Sequence, residues 1–146
     1  MSEKLSRSEI REGAFLELFQ IRFGTNLDEI DELNSSAFDL AKNKYTDELV
    51  RGVLEHNEEL TEIIAGYSKT RSVSRIAAVN LVIPKIAVYE MKYCDKVPNV
   101  VAINEAIELA KKYSLKSDSG FVNAVLNSYK NDLEKNVDKL SAADND

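Results

Sequence analysis

Apolar residues recur at helical spacing along almost the whole chain, and this periodicity constrains the fold more than any other feature. In segment 99–113, apolar side chains fall at positions i, i+3, i+4, i+7 and i+10, which is one face of a helix. Breaks are rare, because the 146 residues include only two prolines and five glycines. No pair of segments shows the alternation typical of paired strands. The sequence therefore predicts an all-α fold.

Capping residues and helix breakers set the predicted boundaries. The first helix is expected over about 8–23, with Ser6 or Ser8 as its cap and Gly24 at its end. Pro84 lacks a backbone N–H, so it predicts a break between two helices. The predicted helices after the first cover about 29–43, 46–66, 73–80, 83–93, 99–113 (with Asn99 as a cap) and 118 into the 130s.

The charge distribution limits where a polyanion could bind. The net charge is −6, which argues against strong non-specific binding of nucleic acid. Residues 28–66 carry three basic and eleven acidic side chains, whereas residues 67–96 carry six basic and two acidic ones. Any site for RNA must therefore be local rather than spread over the surface.

Targeting signals and disulfides are not expected. No apolar run approaches the roughly 20 residues that span a bilayer. The N-terminus, "MSEKLSRSEIREGAF", is charged and lacks the apolar core of a secretory signal. Cys94 is the only cysteine, which allows no internal disulfide. Together these features predict a soluble protein of a reducing cytoplasm.

Residues with catalytic potential are isolated from one another. His56, the only histidine, lies among carboxylates on a predicted helix, which is typical of an exposed surface residue. Cys94 has no sequence partner for a metal site and no nearby histidine for a Cys–His nucleophile. No glycine-rich phosphate loop is present. We therefore predict a non-enzymatic protein that needs neither a cofactor nor a metal.

Four segments in the same order resemble the transcription antitermination factor NusB family. "VAINEAIELAKKY" at 101–113, followed by "FVNAVL" at 121–126, is similar to the C-terminal part of the family pattern. "IAVYEM" at 86–91 and "REGAFLELFQ" at 11–20 resemble two upstream motifs. "SRIAAVN" at 74–80 resembles a fifth segment but lacks its tryptophan. The resemblance covers most of the chain.

The resemblance implies a fold and a function. The fold is all-α, with about seven helices in two small packed bundles, here about 1–68 and 69–135, followed by a frayed tail at 136–146. NusB-like proteins bind boxA-type single-stranded RNA of nascent ribosomal transcripts together with the tenth protein of the small ribosomal subunit. The complex joins other Nus factors on RNA polymerase. Some family members dimerise, so a homodimer stays open.

Three basic residues near the N-terminus are candidate RNA ligands. Lys4, Arg7 and Arg11 are spaced i, i+3, i+7, which places them on one face of a helix. Either they are solvated charges beyond the core, or they contact phosphates. The resemblance implies an arginine-rich RNA-binding motif, although Glu9 adds a like charge to the phosphates. We therefore expect weak RNA binding by the chain alone and a strong dependence on the partner.

Polar and aromatic residues in the two C-terminal motifs are further candidates. Phe121 could stack on an unpaired base and Asn123 could read a base edge, or they could be a core residue and a cap. The resemblance implies an RNA contact at Phe121, and Ala124 stands where the family usually has glycine. Asn104 and Glu105 are interpreted as structural residues that hold the C-terminal bundle together.

The resemblance implies a protein-binding surface on the C-terminal bundle. Asn80, Lys85 and Glu90 are the candidate residues for contact with the ribosomal partner. Two other functions remain open from the sequence. The chain could be a helical adaptor that binds proteins only, or an RNA-binding module related to those of rRNA cytosine methyltransferases. Salt-dependent RNA affinity that requires Arg7 and Arg11 would distinguish an RNA-binding protein from an adaptor.

Overall fold

Helices form nearly all of the part of the chain that the structure describes. The computed structural model describes residues 6–22, 44–68, 75–115 and 118–144. The predicted all-α class is confirmed. The helix predicted at about 29–43 lies outside the described residues, as does Lys4. The described helices are α1 (Arg7–Arg22), α2 (Lys44–Glu55), α3 (Asn57–Tyr67), α4 (Ala78–Tyr93), α5 (Asn99–Tyr113) and α6 (Ser119–Asp144).

Helix α4 is the centre of the fold. It packs against each of the other five described helices. Every residue from 80 to 88 is buried, which is typical of a helix surrounded by protein on all sides. The buried apolar side chains of all six helices join a single cluster with those of α4. The division into two bundles stays a prediction.

The predicted helix break at Pro84 is wrong, because α4 continues through this residue. Proline inside a helix costs about 3 kcal/mol through the lost hydrogen bond and the steric clash. Full burial of a large aliphatic side chain contributes about 1.5–3 kcal/mol. Leu81, Ile83 and Ile86 are all almost completely buried on this helix. Their burial outweighs the cost of the proline.

The helix predicted at 46–66 is two helices that meet at His56. The backbone of His56 has φ −103° and ψ 17°, which lies outside the α-helical region. Hydrogen bonds nevertheless continue across this residue: its N–H donates to Gly52 O, and its carbonyl accepts from Leu60 N. The break at His56 leaves the apolar periodicity nearly unchanged. The sequence pattern therefore did not indicate the break.

Other helix ends also differ from their predicted positions, and α4 begins at Ala78 rather than near residue 73. Asn99 is the first residue of α5 rather than its cap, since Pro98 occupies the capping position. Helix α6 extends to Asp144, well beyond the expected end in the 130s and through most of the predicted frayed tail. Residues 134–143 include several strong helix formers, which favours this continuation.

Gly52 allows α2 to approach α4 closely. A Cβ atom at position 52 would overlap the phenol ring of Tyr89. That ring packs near His56 and Tyr93, with centroid separations of 6.0 and 5.4 Å, so displacing it would disturb both contacts. The absence of a side chain at position 52 therefore sets the spacing between these helices.

We expect Gly52→Ala to lower the free energy of unfolding by about 1–3 kcal/mol, because the added methyl group overlaps Tyr89. Gly66→Ala is the matched control, since a Cβ there meets no atom within 4 Å. The control should gain about 0.5–1 kcal/mol from the better helix former. Urea unfolding measures both. If Gly52→Ala remains equally destabilising in a Tyr89→Ala background, contact with the ring is not the cause.

Candidate nucleic-acid interface

The N-terminus of α1 is held by a reciprocal cap. Glu9 N donates to Ser6 Oγ at 3.1 Å, and Ser6 N donates to Glu9 Oε1 at 3.0 Å. This capping box satisfies two backbone N–H groups that the helix leaves open. The structure confirms Ser6 as the cap. The negative charge of Glu9 was expected to oppose RNA binding. In the structure, Glu9 caps the N-terminus of α1.

Arg7 and Arg11 have different environments although they share one side of α1. The side chain of Arg7 is exposed, and among the described residues it has no ion-pair partner. Arg11 is only 4 % exposed. Its Nε and Nη2 donate to the two carboxylate oxygens of Glu90 on α4, at 2.8 and 2.9 Å. Arg7 is thus available for a phosphate, whereas Arg11 joins two helices.

The guanidinium of Arg11 remains charged although it is buried. Burial by itself lowers the pKa of Arg11, but the hydrogen bonds and the negative charge of Glu90 outweigh that effect and raise the pKa. Glu105 and Cys94 act in the same direction with smaller effects. A bidentate guanidinium–carboxylate contact of this kind fixes both distance and orientation. It therefore anchors the N-terminal part of α1 on the central helix.

A groove of about 620 Å³ lies beside this ion pair. Arg7 lines it together with Lys96 and Tyr45, and the Arg11–Glu90 pair forms part of its wall. Tyr45 is 62 % exposed and contributes an aromatic side chain to the lining of the groove. Lys96 is exposed and, within the described part of the chain, has no ion-pair partner. The groove thus combines two accessible cations with an aromatic surface.

Sequence reasoning did not identify Tyr45 or Lys96. Neither belongs to a motif, and the two residues meet Arg7 only because α1, α2 and the end of α4 pack together. The single available signal was that Lys96 lies in the basic segment 67–96. Tyr45 lies in the acidic segment 28–66, which obscured it.

Side-chain hydrogen bonds join another side of α1 to α5. Ser8 Oγ donates to both carboxylate oxygens of Glu105, at 2.9 and 2.8 Å. Glu105 therefore holds α1 on α5, rather than joining only the C-terminal helices as predicted. Asn104 beside it is exposed. Ser8 consequently points toward α5 and joins the start of α1 to this helix.

A second link between α1 and α5 centres on Glu12. Its Oε1 accepts hydrogen bonds from Lys112 Nζ and Tyr113 Oη, both at 2.6 Å. These hydrogen bonds, that of Lys112 first, hold the pKa of Glu12 below its ordinary value. Burial, with the hydrogen bond to Glu12, raises the pKa of Tyr113 to about 12. The ionised Glu12 therefore stabilises the contact between these helices.

Phe121 and Asn123 lie in the first two turns of α6, which packs against α5 and α4. Phe121 is half-buried and packs against the core cluster. Asn123 is exposed, and its Oδ1 accepts a hydrogen bond from Asn127 Nδ2 at 2.5 Å. Phe121 thus supports the core while the residue remains partly exposed. An RNA contact at either residue stays a prediction.

The three predicted partner-binding residues are buried in this structure. Asn80, Lys85 and Glu90 are 1 %, 6 % and 5 % exposed. Asn80 Oδ1 accepts from Ser114 Oγ, and Lys85 Nζ donates to Asn57 Oδ1 at 2.8 Å. Their side chains therefore offer almost no surface to another protein in this conformation, and the predicted contact remains a prediction.

The isolated residues with catalytic potential differ partly from expectation. His56 is half-buried rather than exposed, and its ring stacks on Tyr93 with centroids 4.2 Å apart. Burial first, and then the charge of Glu90, raises the pKa of the Cys94 thiol, which lowers its reactivity. Across the described ranges, no group of three potential metal ligands occurs. None of the described helices is long and apolar enough to cross a membrane.

A model of the NusB family matches residues 8–131. The chain belongs to the NusB family. The matched region extends from the second residue of α1 to the middle of α6 and so includes all or part of every described helix. The identification agrees with the resemblance found in the motifs at 86–91, 101–113 and 121–126.

NusB relatives match over nearly their whole lengths. The transcription antitermination protein NusB of Bacillus subtilis is 38 % identical over 132 residues, which cover 90 % of this chain and 99 % of the relative. That of Agathobacter rectalis is 37 % identical, covering 84 % of this chain and 97 % of the relative.

Solved structures of similar proteins share the fold. Thermotoga maritima NusB aligns with a TM-score of 0.72 and 27 % identity, covering 86 % of this chain and 91 % of its own. A chain in a crystal structure of a plectonemic RNA supercoil aligns with a TM-score of 0.74 and 25 % identity, covering 87 % and 96 %.

Proposed function

We propose that this chain is a transcription antitermination factor that binds boxA-type single-stranded RNA of nascent ribosomal transcripts. The tenth protein of the small ribosomal subunit binds with it, and the complex acts in the cytoplasm with other Nus factors and RNA polymerase. The observation that carries the proposal is the nearly full-length match to proteins named transcription antitermination protein NusB. The role is regulatory binding rather than catalysis.

The groove beside α1 is the proposed path for part of the RNA. Arg7 and Lys96 would contact phosphates, and Tyr45 would stack on a base. The acidic Glu48 also lines the groove, and its carboxylate lies 4.0 Å from Lys44 Nζ. Arg11 neutralises the other acidic residue of the groove, Glu90. The accessible positive charges of the groove would therefore face the RNA strand with little opposition from its two carboxylates.

Three further residues are proposed RNA contacts outside the groove. Lys4 would add a phosphate contact ahead of Arg7, in keeping with their spacing in the sequence. Phe121 and Asn123 would contact bases from the start of α6, as the family resemblance implies. Arg11 acts indirectly in this proposal, because it fixes α1 on α4 and so positions Arg7.

We expect Arg7→Ala to weaken binding of a labelled boxA-like RNA and to make it less sensitive to salt. Loss of one phosphate contact to a single strand should reduce the slope of log K against log salt by about 0.7. Arg51→Ala is the matched control, because Arg51 is an exposed arginine whose Nε pairs with Asp47 at 2.9 Å. Fluorescence anisotropy at several salt concentrations measures both variants.

The control should retain the wild-type slope. Equal slopes for wild type and Arg7→Ala would contradict the assignment of Arg7 as a phosphate ligand. If wild type fails to bind the RNA even with the ribosomal protein present, the RNA-binding function itself is wrong, and an adaptor that binds only proteins becomes the better interpretation.

A further inference from the structure

A second cavity, of about 290 Å³, is lined by residues near the C-terminal end of α1, whereas the groove is lined by residues near its N-terminal end. It is formed by residues of α1, α2, α3 and α4, and it shares no lining residue with the groove. Lys85 and Arg22 both line it, together with the amide of Asn57. Among the described residues of its lining, none is acidic. The remaining described lining residues are apolar: Leu18, Ile21, Val53, Leu54 and Val82.

Lys85 is an unusual residue in this cavity. It is only 6 % exposed, and its Nζ donates to the neutral Asn57 Oδ1 at 2.8 Å. Within the described ranges, no carboxylate pairs with Lys85 or Arg22. Burial, and after it the positive charge of Arg22, lowers the pKa of Lys85 to about 8. A lysine is rarely buried to this extent unless it is paired.

The surroundings of Lys85 match the needs of an anion. The ammonium has three N–H donors, of which Asn57 Oδ1 uses one. Arg22 offers guanidinium donors, and the Asn57 Nδ2 amide offers two more. Charged donors of this kind bind the oxygens of phosphate groups strongly. The positively charged lining of this cavity contrasts with the chain as a whole, in which acidic residues exceed basic ones and the net charge is −6. This contrast supports an anion as the ligand.

We propose that this cavity binds a free tetrahedral oxyanion of the phosphate or sulfate class, held by Lys85, Arg22 and the amide of Asn57. A water molecule occupies about 30 Å³ in the liquid, so the cavity has room for such an ion and some water. The bound ion stabilises the junction of the four helices by neutralising Lys85. This site does not rest on the proposed RNA function, and its test needs no RNA.

The first test is thermal unfolding in sodium phosphate and in sodium chloride at matched ionic strength and pH 7. Wild type should show a saturable rise in Tm that is specific to phosphate. Lys85→Met should show no such rise, or one that needs at least tenfold more phosphate. Lys111→Met is the matched control, because Lys111 is an exposed lysine on α5 whose Nζ lies 3.6 Å from Glu108, and it should behave like wild type.

The second test is proton uptake, which a general salt effect would not produce. Because the bound anion favours the charged ammonium, phosphate binding at about pH 9 should take up protons in wild type and not in Lys85→Met. Calorimetric titration in two buffers of different ionisation enthalpy measures this uptake. Equal responses to phosphate and chloride in wild type, or an unchanged phosphate response in Lys85→Met, would overturn the proposal. Stabilisation by adenosine monophosphate but not by inorganic phosphate would also overturn it.

Discussion

Arg11→Ala should lower the free energy of unfolding by about 3–5 kcal/mol, the largest effect that we expect of a single substitution here. The substitution leaves the Glu90 carboxylate in the interior without the guanidinium that donates two hydrogen bonds to it. The cost of an uncompensated buried charge, rather than the attraction lost, dominates this loss. The substitution also removes the ion pair that holds the N-terminal part of α1 on α4.

The double variant Arg11→Met/Glu90→Met separates these causes. Removing both charges and filling the space with apolar side chains should recover most of the lost stability. Urea unfolding of wild type, Arg11→Ala and the double variant measures the three free energies. A double variant that is as unstable as Arg11→Ala would indicate that the geometry of the pair, and not the unpaired charge, determines the stability.

This result bears directly on RNA-binding experiments. Arg7 and Arg11 look equivalent by spacing, but only Arg7 is accessible. Loss of RNA affinity in Arg11→Ala would therefore combine a structural effect with any electrostatic one. Arg7→Ala removes a charge that has no ion-pair partner in the described part of the chain, so it tests phosphate contact without disturbing the core.

The second large effect is a rise in stability between about pH 8 and pH 10 that depends on Lys85. The pKa of Lys85 is about 8 in the folded chain, against an ordinary value of 10.5. Between these values the unfolded chain binds a proton that the folded chain has lost, so the free energy of unfolding increases with pH. The total gain available is about 3 kcal/mol, since one pKa unit corresponds to about 1.4 kcal/mol.

Ionisation of two tyrosines lowers the free energy of unfolding at higher pH. The hydrogen bond to Asp132 and burial raise the pKa of Tyr67 to about 12, and Tyr113 has a similar value. In the unfolded chain these tyrosines lose their protons at a lower pH than in the folded chain. The free energy of unfolding therefore falls as the pH rises above about 10. Because the raised pKa of Cys94 also lowers stability in this range, we expect maximal stability between about pH 9 and pH 10 in a buffer free of phosphate and sulfate.

Lys85→Met isolates the contribution of the lysine, because it retains both tyrosines and Cys94. Its stability should lack the rise between pH 8 and pH 10, and at pH 7 it should exceed that of wild type. Denaturant unfolding at steps of half a pH unit measures the difference. Parallel curves for the two proteins over this range would contradict the assignment of a depressed pKa to Lys85.

The fold was largely predictable because it depends on local patterns. Apolar periodicity indicated α1 and α5 at nearly their observed bounds and helical structure across the other four described helices, and Ser6 was one of two candidate caps for α1. The failures are also informative. Pro84 obeys a local rule that burial in the centre of the fold overrides, and the turn at His56 leaves the apolar pattern intact.

The candidate site was less predictable, because its residues come together through packing. Arg11 and Glu90 are 79 positions apart, and neither neighbourhood in the sequence reveals the other. Ser8 meets Glu105 across 97 positions in the same way. Helical spacing correctly placed Arg7 and Arg11 on one side of α1, but it could not distinguish a solvent-facing residue from one covered by another helix. Accessibility therefore had to come from the structure.

The most direct test of the central claim is the affinity of a labelled boxA-like RNA for this chain, with and without the tenth protein of the small ribosomal subunit. A scrambled RNA of equal length and composition serves as the control. We predict weak binding by the chain alone, markedly tighter binding with the ribosomal protein, and a preference for boxA over the scrambled RNA in the ternary complex. If the ribosomal protein leaves the affinity unchanged and both RNAs bind equally, the proposed antitermination function is contradicted.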